Sequence, residues 1–312
     1  MGAQTGPLRA GAVVAAAAFA LAACGDIAPD SADPERARCD SPQVILGGVT
    51  GLADHIEVAV RFTCVGAVQS ATVYLPKTAG PHPGAVWVFG NGPQTRLPFA
   101  APIVSSLVAA GVAVLSYDKR GVGGSSGVCC PGDHQHFNLL AADAVGAVNA
   151  LRAVPDVDPK RVGLVGASQA AWVAAVAGAR SGSIAFTAIA DGPTVTNGEE
   201  LLYSLLTGEE GGGGGVLSDK AIEYRLRQAG PTGFNPLPFL RQMKVPSLWL
   251  YGLRDRSIPA QDCIARLNQL IREGKDITIK TYPNAGHGLL DTVPSDPDAL
   301  PALVLWVEQR TR

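Results

Sequence analysis

Short segments made almost wholly of apolar residues alternate with helix-like segments along most of this chain. The apolar segments suit buried strands, and most intervals between them suit one crossover helix. This alternation predicts an α/β fold, a mostly parallel sheet flanked by helices on both faces, with any site at the carboxyl ends of the strands. The segments 57–64 and 70–75 predict an antiparallel start to the sheet. Later strands are expected at 85–89, 112–117, 161–165, 184–190, 246–251 and 277–281, and helices at 101–110, 139–152, 170–179, 261–272 and 299–309.

The length and charge of the chain limit the number of domains and the classes of partner to be expected. With 312 residues, of which 47% are hydrophobic, the chain can bury a sizeable core. We expect residues 43–312 to form one domain. The formal net charge is −2, and Lys and Arg form no basic run. A nucleic acid is therefore not an expected partner.

The N-terminus has the pattern of a secretion signal. Arg9 precedes a charge-free apolar run, 10–23, which is too short to span a bilayer comfortably. The run ends in the letters LAAC, which resemble a bacterial lipobox, in which small residues precede a cysteine that becomes lipidated. That cysteine is Cys24. An ordinary signal peptide followed by a chance cysteine is the alternative.

The lipobox interpretation predicts where the mature protein resides. Residues 1–23 would be removed as a signal peptide, and lipid on Cys24 would anchor the protein to the bacterial membrane outside the cytoplasm. Residues 24–42 are rich in Asp, Pro, Ala and Ser and are expected to form a flexible tether.

The other cysteines are five in number, so at least one is free or pairs elsewhere. Disulfides are permitted outside the cytoplasm, and a Cys39–Cys64 bridge would staple the N-terminal strand region. The sequence alone does not fix the pairing. No spacing matches a zinc site, and the pair His134 and His136 lacks an evident third ligand, so no metal is expected. The five cysteines after Cys24 are Cys39, Cys64, Cys129, Cys130 and Cys263.

One interval between predicted strands is too long for a single crossover helix. About 50 residues lie between the strand ending at Ala190 and the strand beginning at Pro246. They include a glycine run, 211–215, and an amphipathic stretch, 220–228. We expect a small cap or lid at about 192–245, and a floppy surface insertion is the alternative.

The strongest local motif surrounds Ser168. The letters GASQA, residues 166–170, follow a predicted strand and open a helix of small residues. A nucleophile elbow needs this context, because a sharp turn exposes the serine and small neighbours let strand and helix approach. The serine then lies at a helix N-terminus, where the dipole favours a developing oxyanion. Ser168 is therefore the predicted nucleophile.

A serine nucleophile needs a base and an acid that orients the base. Asp255 lies in the loop after the apolar strand 246–251, and His287 lies in the loop after the last predicted strand. The order Ser, Asp, His predicts a catalytic triad. Asp191, which follows another strand, is the reserve candidate for the acid.

Acyl transfer also needs two N–H donors for the oxyanion. The backbone N–H of Gln169 directly follows the nucleophile and is the first candidate. The second is the backbone N–H of Asn91, in the glycine-rich segment 89–93 after an earlier strand. A plain Gly-Pro turn is the alternative for that segment.

These motifs resemble the α/β-hydrolase superfamily, and more narrowly its esterases and prolyl-oligopeptidase-like hydrolases with a dienelactone-hydrolase-type core. The resemblance covers about residues 70–310. It also rests on the letters YDKRGVGGS, residues 117–125, and on YGLRD, residues 251–255. It implies the α/β-hydrolase fold, the triad and the oxyanion donors named above, and a structural role for Arg120. The family usually has His where this chain has Phe89.

The expected reaction is hydrolysis of a carboxylic ester through an acyl-enzyme, with a small ester or acyl compound as substrate and no cofactor. A peptidase or aminopeptidase of the same fold is the nearest alternative, and an acyltransferase would use the same chemistry. A catalytically inactive, lipid-anchored binding protein is an alternative from another class. The sequence leaves the natural substrate, acyl length, lid motion and oligomeric state open.

Overall fold

The computed structural model describes residues 37–130, 134–209 and 217–312. The predicted signal peptide, the lipidated Cys24, most of the predicted tether and the glycine run 211–215 lie outside these residues and stay predictions. Within the described ranges, no helix has the length and apolar character needed to cross a membrane.

In the described part of the chain, nine strands form one sheet in the order β1-β2-β3-β5-β4-β6-β7-β8-β9. The first three strands and the β3–β5 pair are antiparallel, and the remaining pairs are parallel. The predicted mostly parallel sheet is therefore confirmed. The strands are β1 (Gln43–Gly51), β2 (His55–Cys64), β3 (Ala67–Pro76), β4 (His82–Val88), β5 (Ala113–Tyr117), β6 (Val157–Ala167), β7 (Thr187–Ala190), β8 (Ser247–Gly252) and β9 (Ile277–Tyr282).

Helices cover the sheet on both sides, as predicted, and two separate apolar clusters result. One cluster joins the sheet to α2, α3, α6 and α7, and the other joins it to α1 and α8. The described helices are α1 (Pro102–Ala109), α2 (His134–Arg152), α3 (Ala170–Arg180), α4 (Asn197–Thr207), α5 (Asp219–Ala229), α6 (Leu237–Gln242), α7 (Ala260–Arg272) and α8 (Ala299–Thr311).

Several elements differ from the sequence-based expectation, and β1 and α2 are two of them. The sequence pattern predicted no strand at Gln43–Gly51, most of whose residues are exposed because β1 is an edge strand. The helix α2 begins at His134, before the expected start at 139. The His134–His136 segment is therefore part of the first turn of α2.

The interval predicted as a cap contains α4, α5 and α6. Helix α4 has a complete capping box, in which Thr196 and Glu199 bond each other's backbone N–H. Glu199 also pairs with Arg266 of α7 at 2.7 Å, and Tyr203 donates a hydrogen bond to the carbonyl of Asp255 at 2.9 Å. These contacts fix α4 against α7 and against the loop that follows β8. A lid that opens and closes stays a prediction.

Arg120 joins the turn after β5 to two other elements. Its guanidinium forms two hydrogen bonds with the Asp143 carboxylate of α2, at 2.6 and 3.0 Å. It also donates to the carbonyls of Cys64 and Val65, in the turn between β2 and β3. Both charged side chains are buried. This is the structural role that the family resemblance implied for Arg120.

The five cysteines in the described part of the chain form two pairs, and one remains a thiol. Cys39 pairs with Cys64 over a Cα–Cα distance of 5.6 Å, within the usual range for a disulfide. The neighbours Cys129 and Cys130 pair with each other. Cys263 is buried in α7, and burial raises the pKa of its thiol to about 11.

Candidate functional site

Ser168 lies in a sharp turn between β6 and α3. Its φ of 57° is in the left-handed region, which non-glycine residues rarely adopt. A Cβ atom on Gly166 would meet the carbonyl oxygen of Val88 at 2.5 Å and the Cβ of Ala170 at 2.6 Å. Strand and helix can therefore approach closely only because these two flanking positions are small. The turn has the geometry that a nucleophile elbow requires.

The loop after β4 lies directly beside Ser168. A Cβ atom built on Gly90 would be 3.4 Å from the Cβ of Ser168 and 4.0 Å from its Oγ. The Ser168 N–H donates to the carbonyl of Ala190 at 2.9 Å, which ties the elbow to the end of β7. The serine hydroxyl is therefore next to the loop that carries Asn91.

The structure brings Asp255 and His287 together. His287 Nδ1 lies 2.7 Å from Asp255 Oδ2. The other carboxylate oxygen of Asp255 accepts hydrogen bonds from the N–H groups of Ser257, at 2.8 Å, and Ile258, at 3.0 Å. These bonds fix the buried carboxylate and leave one oxygen for the imidazole. The carboxylate therefore fixes the orientation of the imidazole, as the acid of a catalytic triad does for its base.

No hydrogen bond joins Ser168 Oγ to the His287 ring among the contacts of the described residues. The three predicted residues follow the carboxyl ends of β6, β8 and β9, which run parallel to one another. Only β7 lies between β6 and β8, and β9 is next to β8. All three side chains therefore belong to the same edge of the sheet. Hydrogen bonds of this kind are often long before substrate binds.

Asp191, the reserve candidate for the acid, has a different partner set from Asp255. Its Oδ2 accepts hydrogen bonds from the N–H groups of Gly288, at 3.0 Å, and Leu289, at 2.8 Å. Asp191 therefore holds the backbone just after His287, and Asp255 contacts the ring. Burial raises the pKa of the Asp191 carboxyl to about 6, although the His287 charge opposes this.

Three carboxylates affect the protonation of His287. Burial favours the neutral imidazole, but the hydrogen bond with Asp255 and the negative charges of Asp255, Asp191 and Asp291 outweigh it and raise the pKa of the His287 imidazole. Acceptor or ring atoms of Asp191, Asp255 and His287 lie within 4.8 Å of one another. The Asp255–His287 contact and the hydrogen bonds of Asp191 to the backbone after His287 hold the three residues together.

The two predicted oxyanion donors lie on loops that contact each other. The Gln169 side chain donates from Nε2 to Asn91 Oδ1 at 3.2 Å. Lys119, in the turn after β5, donates from Nζ to the carbonyls of Gly90 and Gly92, each at 2.9 Å. Sequence reasoning missed the contacts of Lys119, although it lies within the YDKRG motif that carries the family resemblance.

A cavity of about 180 Å³ opens beside Ser168. Its wall combines the elbow with the first part of α2 and with α4. Trp172 is held in this wall by a hydrogen bond from its indole N–H to the carbonyl of Val195, at 3.2 Å. Polar and apolar groups both face the cavity. The lining includes Asn91, Cys130, His136, Ser168, Trp172 and Glu200.

Comparisons with solved structures show the fold. Acetyl xylan esterase 1 from Thermoanaerobacterium sp. JW/SL YS485 is 20% identical, with a TM-score of 0.62, over 88% of this chain and 91% of that one. Acetyl xylan esterase from Paenibacillus sp. R4 is 15% identical, with a TM-score of 0.62, over 90% and 92%. Acylaminoacyl peptidase from Pyrococcus horikoshii is 16% identical, with a TM-score of 0.60, over 83% and 42%.

The sequence comparisons extend this result to a family. The search of curated protein sequences found no match. The family model described as the prolyl oligopeptidase family matches residues 100–310, about two thirds of the chain. The matched residues include Ser168, Asp255 and His287. The protein is therefore a serine hydrolase of the α/β-hydrolase fold and belongs to the prolyl oligopeptidase family.

Proposed function

We propose that this protein hydrolyses carboxylic esters of short acyl groups through a triad of Ser168, His287 and Asp255. The observation that carries the proposal is the left-handed turn at Ser168, on the same sheet edge as a 2.7 Å His287–Asp255 contact. Neutral His287 takes the hydroxyl proton while Ser168 Oγ attacks the ester carbonyl. The protonated imidazole then gives the proton to the leaving alcohol, and water cleaves the acyl-enzyme by the same route.

The N–H groups of Asn91 and Gln169 serve as the oxyanion donors in this proposal. Gly90 lies against Ser168, and Gln169 directly follows it, so both donors belong to backbone next to the nucleophile. Each such donor contributes about 100-fold to 1,000-fold to kcat in other hydrolases.

Cavity size supports a small acyl group. The cavity beside Ser168 measures about 180 Å³, and pockets for drug-sized ligands have roughly 300–1,000 Å³. We therefore expect p-nitrophenyl acetate and butyrate to be hydrolysed faster than p-nitrophenyl laurate.

A fluorophosphonate probe tests the triad, because it labels only an activated serine. The protein without residues 1–24 should be labelled, and the Ser168→Ala and His287→Ala variants should not. Ser105→Ala, which removes a serine from α1, is the matched control and should be labelled like the wild type. An unlabelled but folded wild type would favour the inactive binding protein, and labelling of Ser168→Ala would mean that another serine is the nucleophile.

A peptidase is the second candidate because an acidic side chain lines the same cavity. Helix α4 places Glu200 in the wall that also contains Ser168. A carboxylate there would favour a substrate with a free amino terminus. The prolyl oligopeptidase family match also supports this candidate.

Matched substrates separate the esterase from the peptidase. The esterase proposal predicts rapid hydrolysis of p-nitrophenyl acetate and little release of p-nitroaniline from alanine p-nitroanilide. An aminopeptidase would cleave alanine p-nitroanilide, would reject its N-acetyl form, and would lose this preference in Glu200→Gln. With an added primary alcohol, an acyltransferase would form the new ester in preference to the free acid, whereas a hydrolase would release mainly the acid.

We also propose that lipid on Cys24 anchors the protein outside the cytoplasm. The Cys39–Cys64 pair supports an oxidising compartment. In a bacterial host that is fed a labelled fatty acid, the full chain should take up the label and fractionate with membranes. Cys24→Ala should do neither, and equal labelling of both forms would contradict the proposal.

A further inference from the structure

Lys119 is a buried cation directly behind the 90–92 loop. Only 3% of its surface is exposed. Its ammonium donates to the carbonyl oxygens of Gly90 and Gly92, each at 2.9 Å, and lies 3.5 Å from Gln169 Oε1. Within the described residues, its hydrogen-bond partners are thus neutral oxygens. Burial lowers the pKa of the Lys119 ammonium to about 8.

Among the residues that the structure describes, Lys119 has no ion pair, and this distinguishes it from the neighbouring Arg120. Arg120 is equally buried, but the Asp143 carboxylate pairs with it at 2.6 Å. Burying a charge without a counter-charge costs free energy. Stability of the fold alone gives no reason for a charged group at this position. The acceptors of Lys119 indicate what the charge does there, since two belong to one short loop.

The two carbonyl contacts fix the orientation of the peptide units in that loop. In a trans peptide unit, the C=O and the following N–H point in opposite directions. Because the Gly90 carbonyl points toward Lys119, the Asn91 N–H points away from it. Gly92 has a φ of 77°, so the chain turns sharply between the two contacts. The ammonium thus holds both peptide units of the turn from one side.

The same ammonium reaches the loop that carries the other proposed donor. Gln169 Oε1 faces Lys119, and Gln169 Nε2 bonds Asn91 Oδ1 at 3.2 Å. The contacts of Lys119 therefore connect the loop after β4 with the residue after Ser168. A shift of one loop would change the distance between the two N–H donors.

We propose that Lys119 is a positioning residue that holds the 90–92 loop so that the Asn91 N–H faces the carbonyl oxygen of the substrate. This inference rests on the proposed serine hydrolase function and adds a residue to it. Lys119 does not contact the reacting atoms. Its effect should appear in the transition state, where the oxyanion forms, and not in substrate binding.

The test compares Lys119→Met and Lys119→Arg with the wild type, using p-nitrophenyl acetate and a fluorophosphonate. Methionine has a similar length without the charge, and arginine keeps the charge. Lys77→Met is the matched control, because Lys77 also donates to two backbone carbonyls, those of Leu52 and Ala53, at 2.7 and 3.3 Å. Thermal unfolding of each variant establishes that it is folded.

Folded Lys119→Met should have a kcat about 10-fold to 100-fold lower, a KM within about twofold of the wild type, and a similarly slower reaction with the fluorophosphonate. Lys77→Met should match the wild type in all three values. A folded Lys119→Met whose kcat is within twofold of the wild type would overturn the inference.

If Lys119→Met does not fold, the pH dependence of kcat in Lys119→Arg carries the test. Above pH 8, Lys119 loses its proton and its hydrogen bonds weaken, so the wild type should gain less activity from deprotonation of His287 than a variant that keeps the charge. Arginine stays protonated, so the ratio of kcat at pH 9.5 to kcat at pH 7.5 should be at least threefold higher in Lys119→Arg. An equal ratio would overturn the inference.

A folded wild type that neither hydrolyses the ester nor reacts with the probe would overturn the proposed function, and it would overturn this inference as well.

Discussion

Asp191→Asn should change the pH dependence of the proposed hydrolase while keeping most of its activity at high pH. The substitution removes a negative charge from beside His287, yet an amide oxygen can still accept from the N–H groups of Gly288 and Leu289. The loop after His287 should therefore stay in place. Without the charge, the His287 imidazole should lose its proton at a lower pH.

The size of this change follows from the separation of the groups. At 4.8 Å, the largest separation among the atoms of the cluster, two unit charges interact by about 0.9 kcal/mol at a dielectric constant of about 80 and by about 3.5 kcal/mol at about 20. These energies correspond to about 0.6 and about 2.5 pH units. Because the His287 side chain is 28% exposed, solvent screens part of the interaction. We therefore expect the pKa of the His287 imidazole to decrease by about one unit in Asp191→Asn.

The assay is kcat/KM for p-nitrophenyl acetate across pH, in the wild type, Asp191→Asn and Asp291→Asn. In the proposed mechanism neutral His287 is the base, so activity should fall as the pH decreases through its pKa. This fall should occur about one pH unit lower in Asp191→Asn. Asp291 is the matched control: its charge also acts on His287, but it is exposed, so its effect should be smaller. An unchanged acid side of the profile in Asp191→Asn would refute the electrostatic role of Asp191.

The remaining predictions concern the acid, the elbow and the buried ion pair. Asp255→Asn should lower kcat by about 10,000-fold, because the amide favours the wrong His tautomer, and ester hydrolysis with a melting curve separates this loss from unfolding. Gly166→Ala should destabilise the protein by about 1–3 kcal/mol, since the added Cβ meets Ala170 at 2.6 Å, and denaturant unfolding measures this. Arg120→Met should cost about 3–5 kcal/mol, because it leaves the Asp143 carboxylate buried without its partner. That loss should increase as the pH rises, since burial favours protonated Asp143, whose pKa is already raised to about 6. An Arg120→Met variant with wild-type stability at pH 8 would contradict this account.

Local patterns in the sequence determined the sheet and the elbow. A buried parallel strand needs a short apolar run, and such runs predicted six strands within a few residues of their observed positions. The elbow was predictable because strand, serine, small residues and helix are adjacent in the sequence. Its left-handed backbone at Ser168 agrees with that prediction. The edge strand β1 escaped prediction because its apolar run is short and ends at Gly47 and Gly48, and most of its residues are exposed.

Contacts between distant segments decided the rest. Asp191 and Gly288 are 97 positions apart, and Lys119 and Gly90 are 29 apart, so no local pattern shows that their atoms meet. The sequence left Asp191 as a reserve candidate for the acid. Only the fold shows that its carboxylate accepts hydrogen bonds from the backbone N–H groups after His287, while the Asp255 carboxylate contacts the His287 ring. The pairing of Cys39 with Cys64 was likewise open until β2 placed them 5.6 Å apart. Sequence periodicity reports the environment of one segment, whereas hydrogen bonds and charge effects depend on distances that only the assembled sheet sets.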